Sequence, residues 1–188
     1  MMYLFFDTET TGIPRKHKGV RLVQLAWILQ SGDEATLGQT LGHGNFIIRP
    51  EGWEIPEPAA KVHGITTAVA LAKGVPLGEV MSAFTAFCYF PGDLVAHNIA
   101  FDDDVLDIEY TNLQWDNPCK EKRHLCTMQA STDFCKLPRR WPGGYKWPKL
   151  FELHQALFNT GFEGAHNALA DVRALSKCFW EMRKRGLI

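Results

Sequence analysis

The chain has 188 residues, 46% hydrophobic and 22% charged. That balance argues against a disordered chain and suits one domain over 1–188, long enough to bury roughly 70% of its unfolded surface. A formal net charge of −1 offers no global field to a polyanion, so any nucleic-acid contact has to come from local patches. Asp7 interrupts the opening apolar run and no stretch has the length of a membrane span, so a cytoplasmic protein with no membrane partner is expected.

Residues 2–7 read as a short, buried strand, and 20–30 as a second, β-rich one. Ser31, Gly32 and Asp33 supply turn chemistry before a third strand ending near Ile48. This is an antiparallel meander with its first strand central. After a Pro- and Gly-punctuated connection over 49–58, short helices are expected from Pro58 to Val62, stopped by Gly64, and from a Thr66 cap to Lys73. Apolar residues at helical spacing mark a longer helix over 77–90. Residues 94–96 suit a buried parallel strand, with a helix following over about 100–113. A last strand near 124–127, one helix onward to 136, and helices over 149–158 and 167–185 complete the α/β pattern of a mixed sheet flanked by helices. The irregular stretch 137–148 is long enough to be functional. The five cysteines are odd in number and form no C-x-x-C pair. Cys119, His124, Cys126 and Cys135 match no common zinc spacing, so reduced thiols are the simpler expectation.

Three short signatures stand out from this frame. The first is Asp7-Thr8-Glu9-Thr10-Thr11-Gly12, the second His97-Asn98-Ile99-Ala100-Phe101-Asp102, and the third His166-Asn167-Ala168-Leu169-Ala170-Asp171. Asp7 and Glu9, two apart at a strand end, project from one face and offer oxygen ligands to a hard cation such as Mg²⁺ or Mn²⁺. Asp102 falls in the first turn of a helix for which Asn98 is the expected N-cap; Asp103 and Asp104 are read as charge complementing the helix N-terminus. With Asn167 as N-cap, His166 and Asp171 occupy the two positions that meet in a hydrophobic staple, which would put an imidazole beside a carboxylate. Four carboxylates and a histidine are the parts of a two-metal phosphodiester hydrolase.

Together the three signatures resemble those of the DEDDh, or DnaQ-like, 3′–5′ exonucleases, which share a ribonuclease H-like fold with a mixed five-stranded sheet. The similarity runs from about Tyr3 to Trp180. It includes Val23-Gln24-Leu25-Ala26 and Val62-His63-Gly64-Ile65, and position 167 is Asn where the tyrosine subclass would have Tyr. The resemblance implies Asp7, Glu9, Asp102 and Asp171 as ligands of two divalent ions, Mg²⁺ or Mn²⁺, with His166 as general base. Asp7 would bridge the two ions, Glu9 and Asp171 completing one site and Asp102 holding the other. It also implies contacts to the terminal nucleotide from backbone near Thr10 and from Ile13, Asn98 and Phe101, with release of nucleoside 5′-monophosphates.

The substrate expected from that resemblance is nucleic acid with a free 3′ end, single-stranded DNA in the first place. The alternatives are an RNA 3′-end trimming enzyme of the same family and a silent binding or scaffold module. The oligoribonuclease type has Met after the Glu, where this chain has Thr10, and a silent module would be expected to lose a ligand that this chain keeps. Two basic segments are candidates to grip the strand: Arg15-Lys16-His17-Lys18, and the acid-free, aromatic-rich stretch 136–149. The short tail after the last helix makes a dedicated replicative subunit a weaker expectation, although a polymerase or repair partner could use another surface.

Overall fold

The computed structural model describes residues 1–14, 19–140 and 143–188. The first basic segment, 15–18, and Trp141 of the second lie outside the described residues. Five strands form one sheet in the order β3-β2-β1-β4-β5. They are β1 (Met2–Thr10), β2 (Leu22–Ser31), β3 (Thr40–Ile47), β4 (Gly92–Ala96) and β5 (His124–Cys126). β1 runs antiparallel to β2 and parallel to β4, with β3 and β5 at the edges. This is the mixed sheet expected of a ribonuclease H-like fold, with β1 at its centre.

The helices are α1 (Glu57–His63), α2 (Thr67–Lys73), α3 (Leu77–Cys88), α4 (Ile99–Asn112), α5 (Thr127–Ala130), α6 (Thr132–Cys135), α7 (Leu150–Phe158) and α8 (Ala168–Lys184). Gly64 ends α1 in the left-handed conformation, at φ 76°. The Thr66 hydroxyl caps α2 by accepting from Val69 N–H. Among the described residues no helix is long and apolar enough to cross a membrane.

Alternation along β1 sends its side chains into two cores. Leu4 and Phe6 pack with Trp27, Phe84, Val105 and Leu106 against α3 and α4. Tyr3 and Phe5 pack with Ala26, Ile28, Val172, Leu175 and Phe179 against α8. Every residue of β2 is buried, as a strand covered on both faces requires.

Three expectations need correction. β1 continues through Thr10 rather than ending at Asp7, since the β-branched threonines extend it along β2 up to an irregularity between Glu9 and Thr10. The helix expected onward to 136 is two short ones. Ser131 Oγ donates to the carbonyls of Thr127 (2.7 Å) and Met128 (3.3 Å), and the helical run breaks there. Asn98 occupies the cap position of α4 but is left-handed, at φ 74°, and its side chain makes no cap hydrogen bond.

Candidate active site

Asp7 and Glu9 lie on the face of β1 that α8 covers, opposite Ala26 and Gln24 of β2. The Gln24 side chain accepts from Ala168 N–H at 3.3 Å, which ties the start of α8 to the sheet beside Glu9. Asp171, in the first turn of α8, thereby joins the pair. Ligand oxygens of Asp7, Glu9 and Asp171 all lie within 4.8 Å of one another.

Asp102 arrives from the other face. β4 pairs with β1 only as far as Phe5, opposite Val95, so the rest of β1 has no strand neighbour on that side. α4 fills the gap. Asp102 Oδ1 accepts from Thr8 N–H (3.1 Å) and Thr8 Oγ1–H (2.7 Å), satisfying a backbone donor that β4 leaves unpaired. Asp102 is 3% exposed. It stands outside the three-carboxylate cluster yet near enough to raise the Asp7 pKa.

These carboxylates repel one another. Burial drives Asp7 well above the ordinary carboxylate range, with Asp102, Asp171 and Glu9 adding to it. Glu9 is pushed to about 7 by burial and then by Asp171. Burial takes Asp102 to about 8 against the hydrogen bonds from Thr8, and takes Asp171 to about 6 against the hydrogen bond and charge of His166. Three carboxylates this close, short of protons or cations, are electrostatically unstable. An all-oxygen set with this much unrelieved negative charge fits hard divalent cations, which would replace the protons.

His166 is exposed and left-handed, at φ 68°. Its backbone N–H donates to Asp171 Oδ2 at 2.9 Å, while Asn167 Oδ1 accepts from Ala170 N–H at 3.3 Å. The expected pairing of positions 166 and 171 is therefore made through the His166 backbone, with the imidazole outside the packed interior. Asp171 holds His166 in a backbone conformation that costs a non-glycine residue about 1 kcal/mol.

Ile13, Asn98 and Phe101 come together. With Pro14, Ala100 and Asp104 they line a groove of about 190 Å³. Ile13, 42% exposed, also walls a second groove of about 520 Å³ together with Thr11, Gly12, Arg21 and Trp53. Thr10 Oγ1 donates to the Gly12 carbonyl at 2.6 Å and shapes the turn between strand and groove. Asp103 has a partner beyond the helix terminus, His124 Nδ1 at 2.8 Å. His124 Nε2 meets the Cys119 carbonyl at 2.8 Å, and Cys119 Sγ lies 3.5 Å from Cys88 Sγ.

Several supporting residues stood inside the quoted motifs but were given no role by reading the sequence. Thr8 orients Asp102. His63, in the Val-His-Gly-Ile stretch, is 8% exposed, and its Nε2 is buried near the Thr10 backbone with no hydrogen-bond partner among the described residues. Its pKa is lowered by burial first and then by the charge of His166. His97 bridges Thr127 Oγ1 (3.0 Å) and the Pro148 carbonyl (2.9 Å), and burial lowers its pKa to about 4. His97 opens the second signature, and that place was the available signal for it; Thr8 lies inside the first, but nothing local marked it as an anchor for Asp102.

The model of a family described as exonuclease, RNase_T, matches residues 4–179. No curated protein matches the chain significantly in sequence. Solved structures do match. An Escherichia coli exonuclease I in complex with a dA16 oligonucleotide is 22% identical with a TM-score of 0.77, over 99% of this chain and 42% of that one. A zinc-bound E. coli exonuclease I–single-stranded DNA complex is 22% identical with a TM-score of 0.75, over 98% and 40%. A moderately thermophilic exonuclease I from Methylocaldum szegediense is 24% identical with a TM-score of 0.77, again over 98% and 40%. The chain thus spans about two fifths of the length of these solved proteins. The likeness extends to the whole mixed sheet and its flanking helices.

Proposed function

Given that this chain belongs to the RNase_T exonuclease family, we propose that it hydrolyses single-stranded DNA from the 3′ end and releases nucleoside 5′-monophosphates. The observation that carries this reading is the convergence of Asp7, Glu9 and Asp171 within 4.8 Å beside a groove lined by Ile13, Asn98 and Phe101. The four carboxylates, Asp102 included, would hold two divalent ions, Mg²⁺ or Mn²⁺. When bound, such ions supply an acidified water and neutralise charge on the phosphate and the departing oxygen.

The chain's own residues do the rest. The groove receives the terminal nucleotide, with Phe101 offering a ring face and Ile13 an apolar edge, neither of which reads a base code. Thr8 fixes Asp102 in one orientation through two hydrogen bonds. Asp171, bonded to the His166 backbone, would hold the residue that carries the imidazole next to the carboxylate cluster. His166 takes the proton from the attacking water as its oxygen bonds to phosphorus and the bond from phosphorus to the 3′ oxygen breaks. The preference for DNA draws support from the oligonucleotide complexes of the solved exonuclease I structures and from Thr10 after Glu9.

Digestion of matched 5′-labelled single-stranded DNA and RNA in Mg²⁺ or Mn²⁺ tests the proposal. A ladder that shortens from the 3′ end and is faster on DNA is expected, with mononucleotides bearing a 5′ phosphate. Faster shortening of RNA would make the protein an RNA-trimming enzyme; intact strands of both kinds would point to a binding module.

A further inference from the structure

Between α6 and α7 the chain forms another groove, of about 330 Å³, lined by Arg139, Tyr145, Lys146 and Trp147. Trp147 is 60% exposed and Tyr145 40%, a large aromatic surface left in water on one short segment. The surrounding stretch carries Lys136, Arg139, Arg140, Lys146 and Lys149 and no acidic residue. Hydrogen bonds define its shape. Lys146 N–H donates to the Leu137 carbonyl (3.0 Å), Arg139 Nη1 to the Gly143 carbonyl (3.0 Å), and Lys146 Nζ pairs with Glu152 at 2.6 Å.

This groove is attached to the nucleotide site by its far end. Pro148, buried next to Trp147, accepts from His97 Nε2 at 2.9 Å, and the residue after His97 is Asn98, which lines the Ile13–Phe101 groove. Trp147 of one groove and Asn98 of the other are thus each the immediate chain neighbour of a residue in this hydrogen bond. The His97 contact therefore fixes an aromatic, cationic groove beside one that would accept a terminal nucleotide.

We propose that the Arg139–Trp147 groove is a second subsite for the same strand, taking a base upstream of the 3′-terminal nucleotide. This rests on the exonuclease reading above. Tyr145 and Trp147 supply stacking faces that tolerate any base. Arg139 supplies positive charge to the phosphates, which the carboxylate cluster would otherwise repel, while Lys146, paired with Glu152, holds the segment in place. The occupant is single-stranded nucleic acid, because the groove pairs flat apolar faces with cations and offers no base-reading constellation.

The test compares the full chain with its Trp147→Ala, Trp147→Phe and Arg139→Gln variants on two substrates. One is a single strand of about 12 nucleotides; the other is thymidine 5′-p-nitrophenyl phosphate, which reaches only the terminal site. Trp147→Ala should raise KM for the strand about tenfold and leave kcat and ester turnover unchanged, with Trp147→Phe recovering most of the loss. Arg139→Gln should reduce the slope of log affinity against log salt by about 0.7. An unchanged KM for the strand, or an equal fall on both substrates, would overturn the subsite. If the unmutated chain cleaves neither substrate, the exonuclease reading fails instead. The groove is then judged by anisotropy of a fluorescent strand, and an unchanged Kd in Trp147→Ala rejects it.

Discussion

Asp171 makes two connections that a single substitution would separate only in part. Its carboxylate belongs to the cluster with Asp7 and Glu9, and the same group accepts the His166 backbone N–H. His166 itself packs against little, so removing its imidazole should leave the fold intact. We expect His166→Ala to lower kcat by about 10²–10⁴-fold with an unchanged melting temperature; normal turnover by that variant would remove His166 from the reaction. The carboxylates also govern stability. Glu9, Asp171 and Asp102, raised to about 7, 6 and 8, bind protons more tightly folded than unfolded. Their contribution to the ion-free protein is complete below about pH 4, the ordinary carboxylate pKa, and is lost as pH rises through 6 to 8. His63 and His97, both lowered, have the opposite slope, but their effect is complete above about pH 6.5. In chelator the melting temperature should therefore fall above about pH 6.5. Saturating Mg²⁺ should oppose the fall, and Glu9→Gln should flatten it. A chelated melting temperature that rises over that range would contradict this account of the cluster.

Elements deliver these side chains to one place. The β1–α8 contact brings Asp171 over Asp7 and Glu9, and the early end of β4 admits α4 with Asp102. A second anchor on α4 holds its far end. Glu109, fully buried, accepts from Arg21 Nε (2.9 Å), Leu22 N–H (2.7 Å) and Asn112 Nδ2 (2.9 Å), and Arg21 N–H in turn donates to Thr11 Oγ1 at 2.9 Å. Glu109→Ala would strand Arg21 and an unpaired backbone donor, so a loss of about 3–5 kcal/mol in denaturant unfolding is expected. A loss under about 1 kcal/mol would mean that water replaces the carboxylate there. Element positions were mostly legible in the sequence, because hydrophobic period, the Thr66 and Asn167 caps and the Gly64 stop are local signals. The break at Ser131 was not, since a hydroxyl that bonds back to its own helix looks the same in sequence as one facing water. Nor was the left-handed backbone of Asn98 and His166, a conformation that residue type alone does not announce.

At the scale of the whole molecule, two helices from opposite faces of one sheet meet beyond the C-terminal part of β1. The three signatures were readable because each is short and contiguous. Their meeting was implied by family resemblance rather than by spacing, and the structure supplies the physical reason in the gap beside β4. The charge balance follows the same logic. A chain of net charge −1 with a buried acidic cluster has to bring cations, bound or carried on side chains, to any phosphate it handles. The most direct test is digestion of 5′-labelled single-stranded DNA by the unmutated chain and by Asp7→Asn, with Mn²⁺ present or chelated. Stepwise shortening from the 3′ end, abolished by either chelation or the substitution, is the predicted result. Shortening that persists in Asp7→Asn, or that proceeds in chelator, would contradict a metal-dependent site centred on Asp7.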